Sequence, residues 1–276
     1  MKKNNTFDLG RFGKYLIYDL NNCRVNFGIS MIILILMGII TYFLTGISSV
    51  VFLGKWVSTP IMGRIPILGL SILIMAIAMP SKCYGFLTDK GLGSQWLMLP
   101  ASKLEKFLSM MIMTLIVVPF LTIGGFLLCD WLLCIIDSNC GQSIVSTACN
   151  IMSLGEIATE ELAPLFPFIE NKWILYDEMP QMILPFVLGA IIFKRNKSAK
   201  TILCLIMIGI IVGLVGTPLL FNSVLDGSLV CSSDEEAIET ITSIGNNLIL
   251  VDTISDSIIN IGLLVAIYLR INHLKH

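Results

Sequence analysis

Charge and histidine are what this chain has least of. Only 13% of its 276 residues are Asp, Glu, Lys or Arg, well under the roughly 25% of an ordinary soluble domain. Its two histidines, His273 and His276, both fall in the last four residues. A histidine base or a histidine-ligated metal in the body of the chain is thereby excluded. Phosphate-cradling motifs are missing too. No G-x-x-x-x-G-K-[ST] occurs, and Gly91-Leu92-Gly93 lacks the third glycine of a dinucleotide site. The net charge of −1 says nothing by itself about nucleic acid, and no nucleic-acid partner is expected. Nor do the eight cysteines show C-x-x-C zinc spacing; Cys129 with Cys134 and Cys140 with Cys149 are both too widely set.

What is present is apolar. Hydrophobic residues make up 55% of the chain and the mean hydropathy is +0.87, more than one soluble core of this length can bury. Long apolar runs with almost no charge are membrane spans, and crossing ~30 Å of hydrocarbon takes ~20 helical residues. Six runs qualify: 28–46, 65–80, 107–136, 182–193, 201–220 and 250–269. The fourth is too short to span unless its helix starts near Asp177 or Pro180, and Pro180 suits a first-turn position. The expected fold is all-α and polytopic, a single transmembrane domain over residues 1–276.

Basic residues set the orientation, because Lys and Arg are retained in cytoplasmic segments near the spans. With both termini inside, segments 1–27, 81–106, 194–200 and 270–276 hold 15 of the 18 Lys and Arg, leaving Lys55, Arg64 and Lys172 outside. Acidic residues run the other way, 15 of 19 lying in or beside the outer segments, chiefly 137–180 and 221–249. Trp56, Trp96, Trp131 and Trp173 all fall at expected interfaces, where an indole is at home. A cleavable signal peptide is not expected, since the first apolar run follows a polar 27-residue segment with no small-x-small site after it. Cys129, Cys134, Cys140, Cys149 and Cys231 lie at or beyond the outer ends, with Cys23 and Cys83 inside and Cys204 in a span. A disulfide between two outer cysteines suits an oxidising compartment, whereas free buried cysteine is the commoner state.

Before the first span, Phe12, Leu16 and Leu20 recur every fourth residue beside Tyr15, while Arg11, Lys14 and Asn21 take the other face. This pattern predicts an amphipathic interfacial helix, serving either as a lever beside a partner or as a topology anchor. In the segment 81–106, Gly91 and Gly93 allow a sharp turn, residues 95–99 make a short helix or extended stretch, and Pro100 disfavours helix in Leu99. Ser102 and Glu105 then read as a capping box that starts the third span at about Lys103. Trp96, Leu97, Met98 and Leu99 would be costly in water, so they should meet headgroups or another protein. Trp96 and Leu97 are the expected anchors; the plainer alternative is a re-entry loop ahead of a well-capped helix.

Leu99, Pro100, Ser102, Glu105, Lys106 and Phe107, following a short apolar helix between the second and third of six spans, carry a resemblance. The chain resembles permease subunits of the ABC exporter class typified by drug, polysaccharide and bacteriocin-immunity transporters. The resemblance implies that the first cytoplasmic loop, with Trp96, Leu97, Leu99, Pro100, Ser102, Glu105 and Lys106, couples to a separate nucleotide-binding subunit. It also implies ATP and Mg on that partner and no cofactor in this chain, a dimer with a second permease subunit (the same chain or a different one), and a bacterial inner-membrane location. The outer segment 137–179 departs from the family's compact outer surface.

Polar positions within the spans are few. Asp252, Asp256 and Asn260 stack at a spacing of four in the last span, either as a polar stripe on a translocation path or as a helix start bathed in headgroup water. Asp130 carries the same ambiguity. Gly209 and Gly213, with Gly216 nearby, permit close helix approach within the subunit or across a dimer. Pro119, Gly124 and Gly125 interrupt the long third span, where a kink would help it fit. Outside, Ser233 and Glu236 read as a capping box ahead of an apolar stripe of Ile238, Ile241, Ile244 and Leu248. No catalytic pair is recognisable, so an enzyme is not expected. A non-transporting membrane scaffold or immunity protein, or a carboxylate-only membrane enzyme at Asp252 and Asp256, remain as alternatives to a permease.

The basic asymmetry generates a direct check. In a cysteine-free background, single cysteines at Asn4, Ser198 and Asn272 should resist an impermeant thiol reagent applied to intact cells, and one at Glu160 should react. Labelling at Ser198 would remove the fourth span.

Overall fold

Asp8 opens the first helix. Its backbone is extended at φ −130°, ψ 120°, and its carboxylate accepts a hydrogen bond from the Gly10 N–H, the N-cap arrangement that satisfies a free helical donor. From there α1 (Leu9–Leu53) runs 45 residues without a break, roughly 68 Å at 1.5 Å per residue. It stops at Gly54, whose φ of 67° is the left-handed conformation glycine adopts without strain. The separate interfacial helix expected before the first span is therefore corrected: it is the leading part of α1 itself. No proline separates the two, and the single Gly28 is tolerated inside the helix. The inward stripe is also one position round from the expected one. Tyr15, Asp19, Cys23, Phe27 and Leu34 are buried, whereas Leu20 is exposed.

The computed structural model describes residues 7–137, 140–147, 173–228 and 254–273. Ser233, Glu236, the stripe from Ile238 to Leu248, Asp252, Cys149 and Cys231 lie outside these. After α1 come α2 (Ile61–Tyr84), a 3-10 turn (Gly85–Thr88), α3 (Lys90–Met98), α4 (Lys103–Ile112), a π-helical turn (Met113–Val117) and α5 (Val118–Ile136). Then follow α6 (Trp173–Ile192), α7 (Lys197–Ser228) and α8 (Ile254–Asn272). No strand occurs among the described residues. Five stretches, Leu9–Leu53, Ile61–Thr88, Lys103–Ile136, Lys197–Leu214 and Ile254–Asn272, are long and apolar enough to cross a bilayer. The chain is an all-helical, multi-pass membrane protein.

The third of these stretches is continuous from Lys103 to Ile136 but changes its winding at Met113. Proline has no N–H and its ring collides with the carbonyl four residues back, so Pro119 disrupts the ladder one turn earlier. The Val118 N–H donates instead to the Met113 carbonyl, five residues away, which is the π-bulge geometry. The interruption thus sits at 113–117, ahead of the glycines. Gly125 has another role: a Cβ there would lie 2.8 Å from Ile35 Cδ1, so its absence lets α5 close on α1.

The run that looks weakest as a span forms the centre of the fold. Along α6, Ile183, Leu184, Val187, Ala190 and Ile191 are at most 2% exposed, and α6 packs against both α2 and α7. Its helix is already formed at Trp173, so Pro180 and Pro185 both lie inside it, correcting the first-turn placement of Pro180. The apolar residues of α6 are thus covered by protein on several sides. Gly189 makes the close approach to α7, since a Cβ there would collide with Thr201 Oγ1. Gly209 and Gly213 do not: a Cβ on either meets nothing within 4 Å among the described residues, so packing of α7 through that pair within the described fold is not observed.

At the end of the fold away from α3, Arg64 in the first turn of α2 is buried with Asp130 of α5, Nη1 to Oδ1 at 2.7 Å. Its Nη2 donates to the Cys140 and Gln142 carbonyls at 3.0 and 2.7 Å, and Asp130 Oδ2 accepts from the Ile144 N–H at 2.8 Å. This pair gives Arg64 and Asp130 a common partner inside the fold and ties the chain after α5 back over α2. Breaking a buried pair from one side leaves an uncompensated charge, typically ~3–5 kcal/mol. Asp130→Ala should therefore lower detergent-solubilised stability by that order and free residues 140–147 to protease. A variant as stable as the parent would show that the pair holds nothing.

Candidate functional site

Ser102 and Glu105 make the expected capping box. Ser102 Oγ accepts from the Glu105 N–H at 3.2 Å, and Glu105 Oε2 accepts from the Ser102 N–H at 2.8 Å. The helix they open begins at Lys103. Leu99 is extended at φ −58°, ψ 136°, the region imposed on a residue preceding proline, so α3 ends and α4 starts within a few residues of each other. Gly91 and Gly93 do not turn the chain as expected; they lie inside α3, and the reversal falls at the 3-10 turn Gly85–Thr88. There Lys197 Nζ donates to the Gly85 carbonyl. Two helical glycines cost about 1 kcal/mol each relative to alanine, an amount that docking of the helix must offset.

The docking is done by Trp96. It is 5% exposed, its Nε1 donates to Tyr15 Oη at 2.8 Å, and Lys106 Nζ sits 4.7 Å from the ring centroid. Lys106 Nζ also donates to the Trp96 carbonyl at 2.7 Å and the Leu97 carbonyl at 3.3 Å, placing a cation at the carbonyl end of α3 where the helix dipole favours it. The expectation that Trp96 and Leu97 face outward as anchors is corrected on this geometry. Trp96 turns inward and Leu97 packs against the core, because an indole donor with a buried partner is more stable inside than at the interface. Leu99 is half-buried against the same core. The side chains left on the free face of α3 are Leu92, 54% exposed, and Met98, 81% exposed, with Gln95 and Pro100 exposed beside them.

Glu105 belongs to more than its own cap. It is 0% exposed, and Arg11 Nη2 meets its Oε1 at 2.7 Å while Arg11 Nε donates to Oε2 at 2.9 Å. The Asp8 N–H also donates to Oε1 at 2.9 Å. A carboxylate gripped by a guanidinium fork and two backbone donors is among the stronger polar contacts available. Lys103 Nζ adds a tie to the far end of the chain, donating to the Asn272 carbonyl and Oδ1, each at 2.7 Å. Phe107 packs edge-on against Tyr268, centroids 5.4 Å apart. The start of α1, the loop and the end of α8 thus form one assembly.

One buried group was not foreseen. Asp19 is 2% exposed and its Oδ2 accepts from Tyr84 Oη and Ser109 Oγ, each at 2.8 Å, joining α1, α2 and α4. Its four-residue spacing from Tyr15 and Cys23 was the available signal. Above α3, a cleft of about 400 Å³ opens between Tyr18, Asn22 and Asn26 of α1, Lys82 of α2, and Leu92 and Gln95 of α3. At the other end of the fold, Asp256 Oδ1 accepts from Gln181 Nε2 of α6 at 2.7 Å, and Asn260 is buried. The described part of that polar stripe therefore faces α6 and the helix bundle.

Comparison of the chain with protein families, with curated proteins and with solved structures finds no match.

The loop geometry separates two effects. Trp96→Ala removes a buried indole, a class of change costing ~3–5 kcal/mol, and should raise hydrogen exchange over residues 90–98. Ser102→Ala should cost about 1 kcal/mol and raise exchange only at the start of α4. Equal exchange in all three proteins would mean that α3 is not held by Trp96.

Proposed function

We propose that the chain is the permease subunit of an ATP-driven exporter of the ABC class, with six spans, both termini cytoplasmic, and a nucleotide-binding subunit on a separate polypeptide. The observation that carries this reading is the construction of α3. It is a short helix held by Trp96 and Lys106 against α1 and α4, whose own starts the Glu105–Arg11 pair joins, with Leu92 and Met98 left exposed. An isolated loop has no need of such bracing, whereas a helix that passes force from a docked subunit to the spans does. The resemblance around Leu99, Pro100, Ser102, Glu105, Lys106 and Phe107 supports the same reading, as does the concentration of Lys and Arg on one side.

In this reading Leu92 and Met98, with Gln95 and Pro100, meet the ATPase. Trp96, Leu97, Ser102, Glu105 and Lys106 set the angle at which they are presented. ATP hydrolysis on the partner moves α3, and the Glu105–Arg11 pair passes that motion into α1. A second permease subunit completes the path, the membrane is a bacterial inner membrane, and the cargo is an amphipathic molecule that partitions into the bilayer.

Apolar anchors at an interface commonly contribute ~2 kcal/mol or more each. The double variant Leu92→Asp, Met98→Asp should therefore release the proposed nucleotide-binding subunit in a detergent pull-down and abolish coupled ATP hydrolysis. Exchange over residues 90–98 should stay at the parental level. Retention of the ATPase and of coupled hydrolysis by this variant, or failure of the parent to copurify with any such subunit, would make a non-transporting scaffold the better reading.

A further inference from the structure

Cys134 and Cys140 lie at the outer end of the fold with their Sγ atoms 3.6 Å apart, both as free thiols. The closeness is built by the surrounding contacts. Cys134 is in the last turn of α5, the Asp137 N–H closes that helix on the Leu133 carbonyl at 2.9 Å, and the Cys140 N–H turns back to the Asp137 carbonyl at 3.0 Å. Gly141 follows at φ 74°, a reversal that other residues adopt only with strain. One guanidinium then holds both cysteines: Arg64 Nη1 donates to Cys134 Sγ at 2.9 Å and Nη2 to the Cys140 carbonyl at 3.0 Å. Asp130 fixes that guanidinium in turn. Two cysteines tied to one buried cation, Cys134 by its thiol and Cys140 by its carbonyl, are already near the separation from which a disulfide forms by side-chain rotation.

We propose that Cys134 and Cys140 are a dithiol site that closes to an intramolecular disulfide by exchange with a disulfide-bearing oxidant of the outer compartment. The side of the membrane rests on the orientation proposed above; the pairing rests on the geometry alone. Cys134 is half-buried and Cys140 is 4% exposed, which sets the order of steps. The Cys134 thiolate attacks one sulfur of the oxidant, forming a mixed disulfide and expelling the oxidant's other sulfur as a thiolate. The Cys140 thiolate then attacks Cys134 Sγ, forming the internal bond and releasing the remaining half of the oxidant as a thiol. The chain loses two electrons and two protons, and the oxidant's disulfide becomes two thiols. Closure links the end of α5 covalently to the segment that Arg64 holds over α2.

The test uses the full chain and two readouts. Purified protein, reduced and then treated in detergent with oxidised glutathione, is denatured, alkylated without reductant and mapped by mass spectrometry. Cys134 and Cys140 should be unalkylated in the parent and joined in one linked peptide. Cys140→Ser should leave Cys134 as a glutathione adduct, and Cys134→Ser should leave Cys140 alkylated. Full alkylation of both thiols in the parent, a stable glutathione adduct at Cys134 without closure, or pairing of either residue with Cys149 or Cys231 overturns the site. The same mapping on protein alkylated in intact cells should find the bond already closed. A pair that closes with glutathione in detergent but is reduced in cells overturns the oxidised state proposed for the outer compartment, and with it the orientation, while leaving the pairing intact.

Discussion

A single carboxylate organises the cytoplasmic end as proposed. Glu105 closes the cap of α4 through Ser102, takes the guanidinium of Arg11 and accepts the N–H of Asp8, the residue that caps α1. Two helix starts are thereby fixed on one side chain, and each terminus brings free backbone donors whose partial positive charge favours an anion there. Everything else at that end follows from the placement. With the start of α1 held against α4, Tyr15 meets Trp96, Trp96 brings α3 down onto α1, and Lys106 closes the carbonyl end of α3. Asp19, one turn along α1 from Tyr15, then reaches Tyr84 and Ser109. Without the anchor, the long lever of α1 would have no fixed angle to the loop.

The opposite end of the fold uses the same chemistry for a different purpose. Arg64 and Asp130 are both buried, so neither has bulk water to fall back on; the carbonyls of Cys140 and Gln142 take Nη2 of the arginine, while its Nε is left without a partner among the described residues. A buried ion pair adds little net stability, since desolvation of both groups offsets their attraction, but it specifies which partners lie together. Here it selects the path of the chain after α5. Between the two ends, contacts are apolar and close, and small residues such as Gly125 and Gly189 set helix separation where the hydrophobic effect gives no direction.

Much of this was legible in residue order. The apolar runs mark the spans because a bilayer demands length. Ser102, Glu105 and Pro100 mark a helix start and the break before it because capping and proline geometry are local, decided within four residues. What was not legible depends on partners distant in sequence. The outward anchors expected of Trp96 and Leu97 follow from hydrophobicity alone, and only Tyr15, 81 residues earlier, turns the indole inward. Asp19 looks like an ordinary cytoplasmic charge until Tyr84 and Ser109 are beside it. Residues 182–193 read as a doubtful span because their length was weighed against lipid; the helix is enclosed largely by protein. Gly91 and Gly93 read as a turn because glycine permits one, yet permission is not a requirement, and the chain reverses earlier.

The continuity of α1 bears on how the proposed permease would work. A separate interfacial helix joined to the first span by a hinge would lose much of any displacement of the cytoplasmic loop at the joint. An unbroken helix of 45 residues transmits a tilt at one end to the other. Its outer part packs on α5 with Gly125 against Ile35, and Tyr42 donates to Asp137, three residues before Cys140. In the proposed mechanism a movement of α3, passed through Trp96 to Tyr15 and through Glu105 to Arg11, is thus delivered to the Arg64–Asp130 end without crossing a flexible link. The π-bulge at 113–117 supplies the complementary property: it interrupts the regular ladder of the third span midway, so that α4 and α5 need not move as one rod. A stiff helix beside one with a built-in joint is the minimum needed for one end of a bundle to move relative to the other.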